Sequence, residues 1–213
     1  MSSDCMQGTF VSMNAYTWVE TISVCLSHAF LILLMRNNKW CWPFGIVGSA
    51  LGAFLFVWPA AEVKLYSEAI LYSYYVWIGV YGWIQWSGAG SKSDSSSIQT
   101  WGLKKHLYFI LSGFLLAPSL GYIMSEYFSS NNPYIDAATT VFSFIASYMQ
   151  ATRGLSSWHF WIVINAVSIW LYYQRGLEVY SLLMVVYFAL SIAGLFQWSR
   201  LLSAQARLRQ DVS

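Results

Sequence analysis

Charge is what this chain has least of. Among 213 residues there are 11 Lys and Arg against 9 Asp and Glu, so only 9% of positions are charged. A soluble domain carries about a quarter, and so sparse a set cannot cover a surface that faces water. The net charge of +2 is too small and too scattered to suggest a nucleic-acid partner. Cysteine is rare too: Cys5, Cys25 and Cys41 have no paired spacing, which excludes a disulfide framework or a zinc site and leaves them as packing residues. Catalytic signatures are missing. No phosphate loop of the form GxxxxGKS or GxxxxGKT occurs, no HExxH, no Cys/His cluster and no supported Ser–His–carboxylate set. No cofactor is expected, and the chain does not read as an enzyme. Residues 1–13 hold Asp4 but no Lys or Arg, so the basic start of a cleavable signal is lacking.

Apolar sequence takes the place of charge. Hydrophobic residues make up 57% of the chain, with 12 Trp and 15 Tyr suited to the headgroup region of a bilayer. A spanning helix needs about 20 mostly apolar residues. Seven stretches qualify, near 14–35, 41–61, 66–86, 107–126, 136–152, 158–174 and 179–199. The fifth and sixth are short and the fifth is polar. The segment GAGSKSDSSS at 88–97 is a Gly/Ser-rich linker. Placing the N-terminus outside puts Arg36, Lys39, Lys92, Lys104, Lys105, Arg153, Arg200, Arg207 and Arg209 in the cytoplasm, and only Lys64 and Arg175 outside. The positive-inside rule therefore favours N-out, C-in, and an odd number of spans.

The halves repeat each other. Gly82-Trp83-Ile84-Gln85-Trp86 closes the third span and Gly194-Leu195-Phe196-Gln197-Trp198 the seventh; at that offset Tyr75 falls on Tyr187. A slightly larger offset sets Arg36 on Arg153, Glu20 next to Asp136, Cys41 on Trp158, Gly48 on Asn165, Phe30 on Ser147 and Leu33 on Gln150. The expected fold is an all-α membrane protein of seven helices. Its first three-helix repeat covers 14–86, a cytoplasmic linker 87–106, a connecting helix 107–126, the second repeat 136–199 and a cytoplasmic tail 200–213. The connecting helix makes the repeats parallel, a recurring transporter plan with the substrate site near the midplane at the repeat interface.

Polar residues within spans mark the candidate site, because they are costly in hydrocarbon and are often functional. Asp136, Thr140, Ser143, Ser147 and Gln150 fall on one face of the fifth span, and Trp158, Trp161, Asn165, Ser168 and Tyr172 on one face of the sixth. Asn offers both donors and an acceptor, and the rings offer flat faces for a heteroaromatic group or a cation. Small hydroxyl residues also allow close helix packing, and Trp158, Trp86 and Trp198 also suit interface anchors. Tyr75 and Tyr187 are candidate wall residues. Most ligand hydrogen bonds are expected from 136–198, where the second half keeps polar groups that the first half lacks.

Trp42-Pro43-Phe44-Gly45-Ile46, Tyr81-Gly82-Trp83, Asp136-Ala137-Ala138-Thr139-Thr140-Val141 and the spacing Trp158-x-x-Trp161-x-x-x-Asn165 together resemble the PnuC vitamin transporters, over roughly 15–199. The resemblance implies a bacterial inner-membrane protein with a three-plus-one-plus-three, SWEET-like arrangement and a homotrimeric assembly in the lipid bilayer. It further implies facilitated diffusion of nicotinamide riboside, trapped by a cytoplasmic kinase, with Trp158, Trp161 and Asn165 lining the ligand site beside the Thr140 face. Four positions depart from the family pattern: Ser156-Ser157-Trp158 stands in place of Glu-Asn-Trp, Tyr72 in place of a Gln, and Ser147 where Gln is frequent. Thiamine, which relatives carry, is the alternative cargo. A membrane assembly or signalling subunit that moves no solute is the alternative of another class.

Overall fold

A computed structural model describes residues 3–56, 66–88, 97–127 and 132–211. Among them the chain forms seven helices and no strand: α1 (Ser3–Met35), α2 (Cys41–Phe56), α3 (Tyr66–Trp86), α4 (Leu103–Tyr127), α5 (Pro133–Ala151), α6 (Ser157–Gln174) and α7 (Glu178–Asp211). Each expected apolar stretch falls on a helix, and residues 57–61 of the second lie outside the described residues. Thr17–Met35, Leu103–Tyr127 and Glu178–Leu208 are long and apolar enough to cross a membrane, and Cys41–Leu55 is a shorter apolar helix. The ends differ most at α1, which begins at Ser3, and at α7, which runs to Asp211 instead of stopping near 199. Residues 199–211 contain neither Gly nor Pro and are rich in Leu, Ala, Gln and Arg, which are strong helix formers. The apolar stretch ends there, but nothing stops the helix.

The helices fall into two compact units, Met1–Gly90 and Ser91–Ser213. In the first, α2 packs against both α1 and α3; in the second, α4 packs on α5, α5 on α6 and α6 on α7.

The two units contain the same turn. Asn37 and Arg153 both adopt left-handed backbone, at φ 51° and 54°. The Asn38 N–H reaches the Leu33 carbonyl at 3.0 Å and the Gly154 N–H that of Met149 at 2.7 Å. The Asn37 N–H bonds Leu34 at 2.9 Å and the Arg153 N–H bonds Gln150 at 3.0 Å. This bond pair satisfies the last carbonyls of α1 and of α5. The next helix then presents a Trp that lies across a glycine. A Cβ on Gly82 would overlap the Trp42 ring, and one on Gly194 the Trp158 ring. Trp42 meets Trp86 edge-on at 5.5 Å and 86°; Trp158 meets Trp198 at 5.5 Å and 84°. The shared geometry sets Trp158 against Trp42, not Cys41, and Arg153 against Asn37, not Arg36. By the same one-residue correction Asp136 matches Glu20, Asn165 matches Ser49, Ser147 matches Leu31 and Gln150 matches Leu34. The misleading signal was the Arg36–Arg153 match, since a surface charge does not fix a turn, whereas a left-handed residue and a buried ring do.

The second unit also holds down the segment before α4. The Gln99 N–H bonds the Arg153 carbonyl at 3.0 Å, and the Leu155 N–H bonds the Gln99 carbonyl at 3.0 Å. The Ile98 N–H donates to Gln205 Oε1 of α7 at 3.1 Å. Ile98 and Trp101 are buried, and Trp101 packs on Phe109 with the Lys105 ammonium 3.8 Å above its ring. Residues 97–102 are thus docked chain, and α4 starts at Leu103, inside the linker expected over 87–106; of that linker, 89–96 lie outside the described residues.

Gly194→Val should therefore lower stability by about 1–3 kcal/mol, the usual cost of overpacking, read as a fall in melting temperature in detergent. Gly102, where an added Cβ meets nothing within 4 Å, is the control: Gly102→Ala should melt with the wild type. Equal melting of all three proteins would show that the Trp158 ring is free to yield.

Candidate functional site

Helix α6 has two faces. His159, Val163, Ala166, Trp170 and Tyr173 are exposed at steps of three and four residues, while Trp158, Ile164, Asn165 and Leu171 are buried on the other side. Helix α5 is buried along most of its length, including Ser143, Ser147 and Gln150. The expected polar stripes therefore turn towards protein.

Four of these residues, Asp136, Gln150, Trp161 and Asn165, are bonded across a helix seam. Asn165 is 6% exposed, and its Nδ2 donates to Ser191 Oγ of α7 at 3.0 Å. Ser191 Oγ in turn donates to the Tyr187 carbonyl at 2.8 Å. The Trp161 Nε1–H donates to Gln150 Oε1 at 3.0 Å, linking the start of α6 to the end of α5. At the opposite ends of the same helices, Arg175 bonds both oxygens of Asp136, at 2.8 and 2.6 Å. Helix polarity favours this pair, since Asp136 lies in the first turn of α5 and Arg175 caps the last turn of α6. Ser147 Oγ bonds the Ser143 carbonyl within α5 at 2.8 Å.

The remaining predicted residues are arranged less tightly. Trp158 is fully enclosed between α6 and α7, with its indole N–H unbonded. In the described conformation it is a wedge between the two helices. Thr140 is half-buried on the α5 face. Tyr187 is half-buried on α7, and its carbonyl is tied to Ser191. Tyr75, in the first unit, packs with Tyr72 at 5.9 Å and Tyr74 at 6.1 Å. Among the described residues no group of three His, Cys, Asp or Glu could hold a metal ion.

Two residues escaped the sequence reading. Arg175 read only as an outer charge, though two successive helices of similar length return it to the level of Asp136 and could have paired them. Ser191 follows Tyr187 by four residues on α7, but a lone serine in an apolar run also suits close helix packing, so it did not stand out.

The Asp136–Arg175 bridge predicts a measurable coupling. Asp136→Asn and Arg175→Gln should each destabilise the protein, and the double variant should lose less than their sum by about 1 kcal/mol, the upper end for a partly exposed pair. Strict additivity in a thermal double-mutant cycle would remove the bridge from the account.

Comparison with known proteins agrees with this architecture. The family described as nicotinamide mononucleotide transporter matches residues 17–200. The riboflavin/roseoflavin transporter RibM of Streptomyces davaonensis is 24% identical over 186 residues, covering 85% of this chain and 84% of its own. The nicotinamide riboside transporter PnuC of Escherichia coli is 20% identical over 207 residues, covering 85% of each chain. The PnuC of Neisseria mucosa is 21% identical, over 92% of this chain and 77% of its own. A crystal structure of the vitamin B3 transporter PnuC superimposes with a TM-score of 0.68 at 19% identity, over 93% of this chain and 88% of that one. The match reaches from α1 to α7, the apolar helices make this a multi-pass membrane protein, and the chain belongs to the nicotinamide mononucleotide transporter family, the PnuC vitamin transporters.

Proposed function

We propose that this chain carries nicotinamide riboside across the bacterial inner membrane by facilitated diffusion, and that cytoplasmic phosphorylation traps the product. In this reading all seven helices span the bilayer, N-terminus outside and C-terminus inside, as two parallel three-helix repeats joined by α4 and assembled as a homotrimer. The common turn and the common Gly–Trp–Trp packing of the two units support the duplication.

Asn165 carries the reading. It is a buried amide tethered on one side only, with Trp161 one turn away on the same helix face. An amide beside an indole suits a ligand that combines a flat cationic ring with hydroxyl groups, as a pyridinium riboside does. Thr140, Ser143, Ser147, Gln150 and Asp136 on α5, with Tyr187 on α7, complete the proposed wall. In the described conformation Gln150 and Asp136 serve it by holding Trp161 and Arg175. Trp158 serves it by setting the spacing of α6 and α7.

Riboflavin is the second reading, favoured by the RibM relative, whose cargo also joins a flat heterocycle to a chain of hydroxyls. Calorimetry of the purified protein with nicotinamide riboside, riboflavin and thiamine separates the cargoes; saturable binding of either of the latter without the riboside overturns our choice. Asn165→Ala should weaken riboside binding by about 1–3 kcal/mol, the cost of an unmatched buried polar partner, and an unchanged affinity would take Asn165 out of the site. Proteoliposomes that enclose a riboside kinase and ATP should accumulate labelled product, whereas a flat trace would favour a subunit that moves no solute.

A further inference from the structure

Ser191 donates its single hydroxyl proton to the Tyr187 carbonyl, which can only accept. Towards Asn165 the hydroxyl therefore has only lone pairs left. The side of the Asn165 amide that meets it must be the NH2 group, as found at 3.0 Å. Ser191 thereby fixes which way round the amide stands, and leaves Asn165 Oδ1 on the other side.

That oxygen is unclaimed. Among the described residues nothing donates to it, although Asn165 is 6% exposed. It is also not among the sealed, unbonded polar atoms, which are Trp42 Nε1, Trp101 Nε1, Ser157 Oγ and Trp158 Nε1. The oxygen therefore opens onto accessible space. The corresponding place in the first unit lacks both partners: Ser49 matches Asn165, and Gly79 matches Ser191 in the register of Gly82 and Gly194. Gly79 has no side chain to orient a partner, and a Cβ there would press on Ile46.

We propose that Ser191 is a positioning residue for the ligand site: by holding the Asn165 amide in one of its two orientations, it makes that residue an acceptor for a ligand hydroxyl or amide N–H. The proposal rests on the reading of Asn165 given under Proposed function. It assigns Ser191 no ligand contact of its own.

The test is a binding cycle on the full-length protein with nicotinamide riboside as probe, together with a readout that needs no ligand. Ser191→Ala should weaken binding about three- to tenfold, within the range for one buried hydrogen bond. Asn165→Ala and the Asn165→Ala/Ser191→Ala double variant should bind alike, because Ser191 acts only through Asn165. An equal loss from Ser191→Ala with and without Asn165 overturns the proposal, since that is what a general packing role would give. In ligand-free protein labelled at asparagine, the side-chain amide protons of Asn165 should exchange slowly in the wild type and at least tenfold faster in Ser191→Ala; equal rates overturn the proposed tether directly. If the wild type binds the riboside and Ser191→Ala binds equally well, the present proposal alone falls. If the wild type binds none of nicotinamide riboside, riboflavin and thiamine, the functional reading has failed and the ligand role of Ser191 fails with it.

Discussion

A polar side chain on a helix surrounded by hydrocarbon bonds chiefly to its own protein, and this requirement shapes the α1–α2, α5–α6 and α6–α7 seams. Ser23 Oγ of α1 donates to the Gly48 carbonyl of α2 at 2.9 Å. Gln150 with Trp161 and Asp136 with Arg175 fasten α5 to α6 at both ends. Ser181 Oγ donates to the Ile169 carbonyl at 2.9 Å, and Asn165 meets Ser191, so α6 and α7 are joined twice. Bonds of this kind in membranes contribute only about 1 kcal/mol each. Their effect is on register: each is made in one rotation and one height of the helix pair and lost in the others.

Packing supplies what the hydrogen bonds do not. Glycine at 82 and 194 gives room for a tryptophan from the neighbouring helix to lie against backbone, and a second tryptophan closes each ring edge-on. The two enclosed indoles leave their N–H groups unbonded, at a cost of about 1–3 kcal/mol each. A Trp ring buries about 150–250 Å², which at about 25 cal/mol per Å² amounts to roughly 4–6 kcal/mol against water. Near a helix end, where water is the competing environment, the area outweighs the orphaned donor. The same trade is made in both units, at matching positions.

Helices and their number were legible because apolar length and scarce charge are direct consequences of a hydrocarbon surrounding. The likeness of the Gly82 and Gly194 segments was legible for a similar reason, since in each unit a tryptophan ring lies on that glycine. What could not be read was direction across space. Asn165 and Gln150 stood out as costly polar residues, yet whether each faced a ligand or a neighbouring helix depends on Ser191 and Trp161, which come from elsewhere in the fold. Trp158 was marked by its motif, but its enclosure follows from Gly194, some distance along the chain. Helix ends were misjudged at α7 because hydropathy reports where lipid stops, whereas helix propensity continues through Arg200 and Gln205.

That overrun has a mechanical result. Thirty-four residues of α7 make a rod of about 51 Å at 1.5 Å per residue, against a hydrocarbon core of about 30 Å. The apolar run that ends at Trp198 sets the depth of that rod, because drawing Arg200 one turn into hydrocarbon is costly, but it leaves the polar overhang unheld. The hydrogen bond from Ile98 to Gln205, made on the protruding part, acts as a stop: piston movement by one helical turn, or axial rotation by one residue, would pull the two apart.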